Sequence, residues 1–361
     1  MEILSPNFIP IVLNIGLLLF ALSIVLLLYI TFERWIIGRR QKHNSTLSKV
    51  IIPLTWRYLR GNATKENAIK AMQQDPTESL SLLIHLNHEL EPSMRPRLQP
   101  LFAGLILSDD EIDALNSNNI KRRLLAAERL GFLDSKASTA ALLNALKDEA
   151  PAIRLCAARS LAIQGKTEAI KPILQALDLP GELDNCREAE AISDYGHSAV
   201  PTLLSMLDSP NGKHSNNTII VATRVLGIFR TQEAVPPLIK LLKKNEESVR
   251  LCAAHALGEI GDPAAISPVA DLANDSAWPV RKEAMKAIGK MHADRQIPML
   301  SHALSDSAWW VRFSAAQALY SLGKLGITEL HTVMKNTVDE HAREICREVL
   351  EEHMILDTKK K

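Results

Sequence analysis

DSAWPVRKEAMKAIG runs from Asp275 to Gly289, and DSAWWVRFSAAQALYSLG from Asp306 to Gly323. The two stretches share Asp-Ser-Ala-Trp-x-Val-Arg at a separation of 31 residues. The step continues on both sides, through Val249-Arg250, Val280-Arg281, Val311-Arg312 and Ala342-Arg343. Behind each pair runs an apolar stripe. Val280, Ala284, Ala287, Ile288 and Met291 fall at i, i+4, i+7, i+8 and i+11. Val249, Ala253, Ala256, Leu257 and Ile260 repeat the spacing, as do Val311, Ala315, Ala318, Leu319 and Leu322. Such spacing marks one buried face of an α-helix.

Ahead of each Asp lies a shorter stripe. Ile266, Val269, Leu272 and Ala273 become Ile297, Leu300, Ala303 and Leu304 after the same 31-residue step. Each unit therefore reads as helix, turn, helix, turn. Gly261-Asp262-Pro263 marks one boundary: Gly ends a helix, Asp caps the next, and Pro suits its first position. Two short helices cannot bury their apolar faces alone, whereas stacked neighbours can, so such units come in arrays. Going backward, Arg123, Leu130 and Gly131 take the places of Arg250, Leu257 and Gly258, and Arg154, Cys156, Ala158 and Leu161 those of Arg250, Cys252, Ala254 and Leu257. Asn185 and Ile219 stand where two further units would carry the Arg. The expectation is an all-α chain: an α-solenoid of about eight helix pairs over residues 109–356, preceded by one transmembrane helix.

The D-S-A-W-x-V-R-x-x-A-x-x-A segments, AAHALGEIGDPAA and helix openings such as AVPPLIKLL resemble the HEAT-repeat family, in the short form of phycobilisome-lyase-like proteins. The resemblance covers about two thirds of the chain and implies an α-solenoid. It leaves function open, because HEAT relatives include scaffolds, adaptors, nucleic-acid enzymes and bilin lyase subunits.

Residues 8–32, FIPIVLNIGLLLFALSIVLLLYITF, hold 25 residues and no charge. As a helix they span about 37 Å, enough for a hydrocarbon core of about 30 Å. No basic n-region precedes the run and no A-x-A site follows it, which favours an anchor over a cleaved signal peptide. Residues 1–7 carry only Glu2, whereas residues 33–60 carry seven basic residues and one acidic. The positive-inside rule places 1–7 outside and the solenoid in the cytosol, with 33–60 a basic juxtamembrane helix facing anionic lipid. Residues 61–108 read as irregular helices, degenerate repeats being one reading, and 357–361 as a basic tail.

The chain's net charge is +1. With the basic excess concentrated at 33–60, the remainder is net acidic, which argues against nucleic acid as partner. Cys156, Cys186, Cys252 and Cys346 form no C-x-x-C pair and are read as reduced, small helix residues. His85 and His88 lack an H-E-x-x-H glutamate and a third ligand. Neither a P-loop, a G-x-S-x-G nor a G-x-G-x-x-G occurs. No cofactor and no enzyme activity are expected. The runner-up is a lyase-like subunit handling a prosthetic group, and a nucleic-acid-binding HEAT protein comes third.

Three sets of residues remain. Arg123, Arg154, Arg250, Arg281, Arg312 and Arg343 form a ladder in phase with the core. Asp148, Asp275 and Asp306 precede some of them by six residues. The structural reading, Asp and Arg bonding across turns and between units, is preferred to an anion site. Trp278, Trp309 and Trp310 fall in the turns, where packing of turn on turn competes with a partner contact, Trp309-Trp310 being the better anchor. Five residues after each Arg position the sequence reads Glu128, Arg159, Glu190, Arg224, His255, Lys286, Gln317 and Glu348. This column is expected on the concave face, and its mixed signs suit a protein partner. The polar stretch SPNGKHSNN, Ser209 to Asn217, interrupts the repeat as an insertion, read as a plain surface loop with a binding loop as the alternative. The expected function is a membrane-tethered scaffold or adaptor whose protein partner is membrane-associated.

Overall fold

The computed structural model describes residues 49–91, 93–106, 108–177, 185–207 and 214–359. Among them every regular element is a helix and none is a strand. The expected membrane span at 8–32 lies outside the described residues, as do 1–7 and the first part of 33–60. No helix among the described residues is long and apolar enough to cross a membrane.

The chain divides into two compact units, Met1–Leu107 and Ser108–Lys361. In the first, residues 49–59 form α1. Lys65–Met72 (α2), Pro76–Glu89 (α3) and Gln99–Leu105 (α4) follow. Thr64 and Asp75 cap α2 and α3 by accepting the backbone N–H of Asn67 and Glu78. Arg97 Nη1 donates to the Leu59 carbonyl at 3.2 Å and ties the short turn before α4 to the end of α1. Ile51, Met72, Leu83, Leu101 and Phe102 make the core.

The second unit is a stack of eight helix pairs among the described residues: Ser108–Ala114 (α5) with Ile120–Gly131 (α6), Lys136–Ala145 (α7) with Pro151–Ile163 (α8), Ile170–Leu177 (α9) with Asn185–Ser193 (α10), and Val200–Leu207 (α11) with Asn216–Ile228 (α12). Val235–Leu241 (α13) pairs with Glu247–Ile260 (α14), Ile266–Ala270 (α15) with Trp278–Lys290 (α16), Ile297–Ala303 (α17) with Trp309–Ser321 (α18), and Lys324–Asn336 (α19) with Glu340–Lys359 (α20). The caps are local chemistry. Ser135 and Ser138 form a capping box before α7, and Ser215 accepts the Thr218 N–H before α12. Gly261 closes α14 at φ +76°, a conformation that favours glycine.

The second helices of each pair lie side by side in one layer, α6 on α8 and then α12, α14, α16 and α18 in succession. Two columns fill the space between this layer and the first helices. Ala126, Ala157, Ala222, Ala253, Ala284 and Ala315 form one, and Leu130, Leu161, Leu226, Leu257, Ile288 and Leu319 the other, all fully buried. Burying each large member contributes about 1.5–3 kcal/mol, so this repeated contact dominates the energetics. A third column sets how closely the helices approach. A Cβ on Gly131, Gly227, Gly258 or Gly289 would stand 2.7–3.0 Å from Ser160, Ala256, Ala287 or Ala318 of the next second helix. In α18 the position is Tyr320, which instead stacks on His353 of α20 at 3.8 Å.

The stripes fall on these helices as their spacing predicts, with one shift. Trp278 and Trp309 are not turn residues but the first residues of α16 and α18.

A test lies in the glycine column. Gly258→Ala gains about 0.5–1 kcal/mol of helix propensity. Its Cβ would meet the Ala287 Cβ at 2.8 Å, and overpacking of that kind costs about 1–3 kcal/mol. Overpacking outweighs the gain in propensity, so the midpoint of urea unfolding is expected to fall. A raised midpoint would show that neighbouring second helices can part without loss.

Candidate protein-interaction face

The arginine ladder joins one unit to the next at Arg123, Arg250 and Arg281. Arg250 Nη1 donates to the carbonyls of Lys244 and Asn245 at 2.9 and 2.6 Å, closing its own turn. Its Nε and Nη2 reach forward to Asp275 Oδ2 and Oδ1 at 2.7 and 2.9 Å. Asp275 Oδ1 also accepts the Ala277 N–H at 2.9 Å and so fixes the turn that leads into α16. Arg281 repeats the arrangement with Asp306 at 2.7 and 2.8 Å and with the Asp275 carbonyl at 2.9 Å. Arg123 does the same with Asp148 and the Ser117 carbonyl. Arg154 bonds the Asp148 and Glu149 carbonyls. The ladder ends at Thr337, which stands 31 residues after Asp306. Arg312 keeps its bond to the Asp306 carbonyl at 2.8 Å, and Arg343 donates to the Thr337 carbonyl at 2.6 Å. The carbonyl bonds thus recur in units where the acid does not.

These contacts shift the acids. The Arg250 guanidinium holds Asp275 below its ordinary value, and the Ala277 N–H adds to the effect against the cost of burial. Burial pushes Asp306 up, but the bonds from Arg281 and Ala308 outweigh it and leave the group lowered.

The exposed side of the second-helix layer carries the remaining candidates. Arg159 pairs with Glu190 of the next helix at 3.1 Å, with both side chains half exposed. Arg224 is half-buried on α12. His255 Nδ1 meets Glu283 at 2.7 Å. Lys286 is exposed, and Gln317 Nε2 donates to Glu352 at 3.2 Å. The eight-residue column is therefore not one open surface, because several members bridge adjacent helices.

Glu283 was not apparent as a site residue. It is buried, which pushes its carboxyl up, yet the His255 bond and the charges of Lys286 and Lys282 hold it low. Its position three residues after the Val280-Arg281 pair begins, and just before the core alanine, gave no sign that it reaches across to α14.

The tryptophans are exposed, Trp278 by 42%, Trp309 by 40% and Trp310 by 54%, so they do not pack turn on turn. Trp309 stacks on Phe313 at 5.0 Å, and Trp310 meets Trp309 edge-on at 4.7 Å. The Lys282 ammonium lies 5.8 Å from the Trp278 ring centroid.

The groups suited to covalent chemistry are placed unfavourably for it. Burial raises the Cys156 thiol to about 11, helped by Glu128, and the Cys346 thiol likewise to about 11. His85 pairs with Glu89 on an exposed surface. Among the described residues no cluster of three or more His, Cys, Asp or Glu is arranged to hold a metal ion.

Two outcomes follow for the ladder. Asp275→Ala removes both the partner of Arg250 and the acceptor of the Ala277 N–H in the turn before α16, and is expected to destabilise the chain by about 1–3 kcal/mol in urea unfolding. Lowered carboxylates contribute stability above their unfolded values, and this is lost as the pH falls through the folded ones. Stability is therefore expected to drop below the ordinary aspartate value of 3.8, with Asp275→Asn flattening that drop. An equal slope in the variant would remove Asp275 as a contributor.

No curated protein matches the sequence significantly. Among solved structures, the CpcE–CpcF complex of phycocyanin lyase from Nostoc sp. PCC7120 shares 19% identity over 67% of this chain and 93% of that one, at a TM-score of 0.32. A designed armadillo repeat protein shares 20% over 60% and 100%, at 0.32. Human deoxyhypusine hydroxylase shares 17% over 80% and 97%, at 0.30. Likeness at this level carries no argument about function. The HEAT-repeat profile matches residues 109–193, 200–287 and 267–351, more than half the chain. With its stacked helix pairs, the chain belongs to the HEAT-repeat family.

Proposed function

We propose that the chain is a scaffold or adaptor that binds a protein partner through the exposed face of its second helices. In this reading residues 8–32 tether it to a membrane, residues 33–60 lie against anionic lipid, and the solenoid faces the cytosol near a membrane complex. HEAT and armadillo-like repeats generally bind proteins. The observation that carries the reading is the group of exposed tryptophans on neighbouring helices of one packed layer. Large exposed aromatics on a rigid element are the usual anchors of protein interfaces. The mixed charges around them suit a protein better than a polyanion. The family match is to a repeat scaffold and carries no catalytic assignment.

Crosslinking the full-length chain in native membranes is expected to yield a discrete protein adduct that Trp309→Ala/Trp310→Ala abolishes, with the circular dichroism of the variant unchanged. An adduct indifferent to the tryptophans would move the site elsewhere. A pigment or nucleic acid recovered in place of protein would overturn the reading. The tether is tested separately: the full-length chain is expected to resist carbonate extraction, and a chain starting at residue 44 is expected to be released.

A further inference from the structure

Three adjacent second helices present three different chemistries on their exposed face. On α16, Trp278, Lys282 and Lys286 follow at i, i+4 and i+8. On α18, Trp309 and Phe313 stack, with Trp310 edge-on beside them. On α20, Glu340, Glu344 and Glu348 are all exposed at the same spacing. Glu352, next in that series, accepts the Gln317 amide, which fixes the glutamate row on the side of α20 bordering α18. The face thus runs lysine, aromatic, glutamate across the layer.

Like charges four residues apart repel along a helix. The ion pairs nearby are made by other residues, Lys290 with Glu259 and His255 with Glu283. Among the described residues Lys282, Lys286, Glu340, Glu344 and Glu348 join no salt bridge. Glu283 feels both lysines, but it is buried and already bonded to His255. The lysine row therefore has no acid beside it on the exposed face of α16, whereas on α20 Arg343 and Arg347, three residues after Glu340 and Glu344, offset part of the glutamate row's repulsion.

The order of the rows says what would supply the missing charge. Lysine, aromatic, glutamate is antisymmetric about α18. A two-fold axis parallel to α18 lays the aromatic row of one copy on that of another. The same rotation sets each lysine row against the other copy's glutamate row. Levels match as well, since Lys282, Phe313 and Glu344 are successive 31-residue steps, as are Lys286, Gln317 and Glu348. An isologous interface requires this self-complementarity, whereas a patch for an unrelated partner does not.

We propose that this face joins two copies of the chain. Lys282 and Lys286 of each oppose Glu344 and Glu348 of the other, around Trp309, Trp310 and Phe313. The proposal rests on the reading of this face as protein-binding and names the partner. Three helices about 10 Å apart and about three turns long cover on the order of 500 Å² per copy. That is below the roughly 800 Å² per partner of a standard interface, so the dimer is reversible and concentration-dependent.

The test is reciprocal charge reversal in the full-length chain, solubilised in detergent and followed by analytical ultracentrifugation over a concentration series. Wild type is expected to self-associate, and less so at high salt. Lys282→Glu/Lys286→Glu and Glu344→Lys/Glu348→Lys are each expected to weaken self-association at least about tenfold. Mixed one to one, the two variants are expected to form a mixed dimer within about threefold of wild-type affinity, because both edges then pair opposite charges. Misfolded chains would not recover on mixing. A wild type that stays monomeric, variants that dimerise as wild type does, or a mixture that fails to associate each overturns the proposal. A monomer that still gives the tryptophan-dependent adduct overturns only the self-interface and leaves the scaffold reading standing.

Discussion

The arginine at the start of the second helix is the joint on which the repeat depends. With one nitrogen it closes its own turn onto two backbone carbonyls, and with the other two it grips the aspartate of the following unit, as Arg250 grips Asp275. That aspartate also accepts the Ala277 N–H in the turn before the next helix, so the turn of that unit is shaped by its neighbour. Exposed ion pairs of this kind contribute about 0–1 kcal/mol. Here Arg250 and Asp275 are only 12% and 8% exposed and share their bonds with the backbone, so deleting one partner strands groups that water cannot easily reach. Even so, the alanine and leucine columns outweigh the ladder in energy. The ladder decides geometry: where the turn sits, and hence in what register one second helix meets the next.

Much of this was legible in the sequence because period and burial share one cause. A helix that buries a stripe against its neighbour must place apolar residues every three or four positions, and a stack of equal units must repeat them. The columns from Ala253 to Ala315 and from Leu257 to Leu319 are that requirement written out. The polar joint was only half legible. Reading along the chain, Asp275 stands six residues before Arg281, which marks the two as members of one polar joint without saying which aspartate each arginine takes. The side-chain partner of Arg281 is Asp306, 25 residues ahead, while the nearer aspartate offers its carbonyl. The expectation of Asp and Arg bonding across turns and between units holds at these positions; what the spacing leaves open is that the side chain takes the farther aspartate and the nearer one offers only its carbonyl, because stacking brings the next turn close.

Two further features were illegible for physical reasons. A glycine inside a helix reads as a penalty until its neighbour is known, so Gly258 gave no sign that it admits Ala287. The tryptophans read as turn residues because Asp-Ser-Ala precedes them; in three dimensions that tripeptide is the whole turn, and Trp278 and Trp309 already belong to the helices. Being at the first position, they lie above the buried stripe that begins at Val280 and Val311, which is why they remain exposed. The column five residues after each arginine followed one position through every unit. It missed the rows along α16, α18 and α20, which run at right angles to it.

The joint also accounts for where the exposed face is regular. Asn185 and Ile219 replace the arginine in two successive units, and there α12 buries Ile220, Val221, Val225 and Leu226. Apolar packing holds such units in a stack whose stability is nearly a sum of neighbour contacts, but it is non-directional and sets register weakly. From Arg250 onward the joint is unbroken through Arg281, and Arg312 keeps its carbonyl bond. Over that run α14, α16 and α18 approach at their glycines and alanines, and equivalent residues fall 31 positions apart on one surface. Trp278 and Trp309 are displayed there and nowhere else in the repeat. A binding face needs side chains held at fixed spacing by rigid elements. The directional bonds run through the units that display Trp278 and Trp309, and recur at Arg123 and Asp148 near the start of the stack.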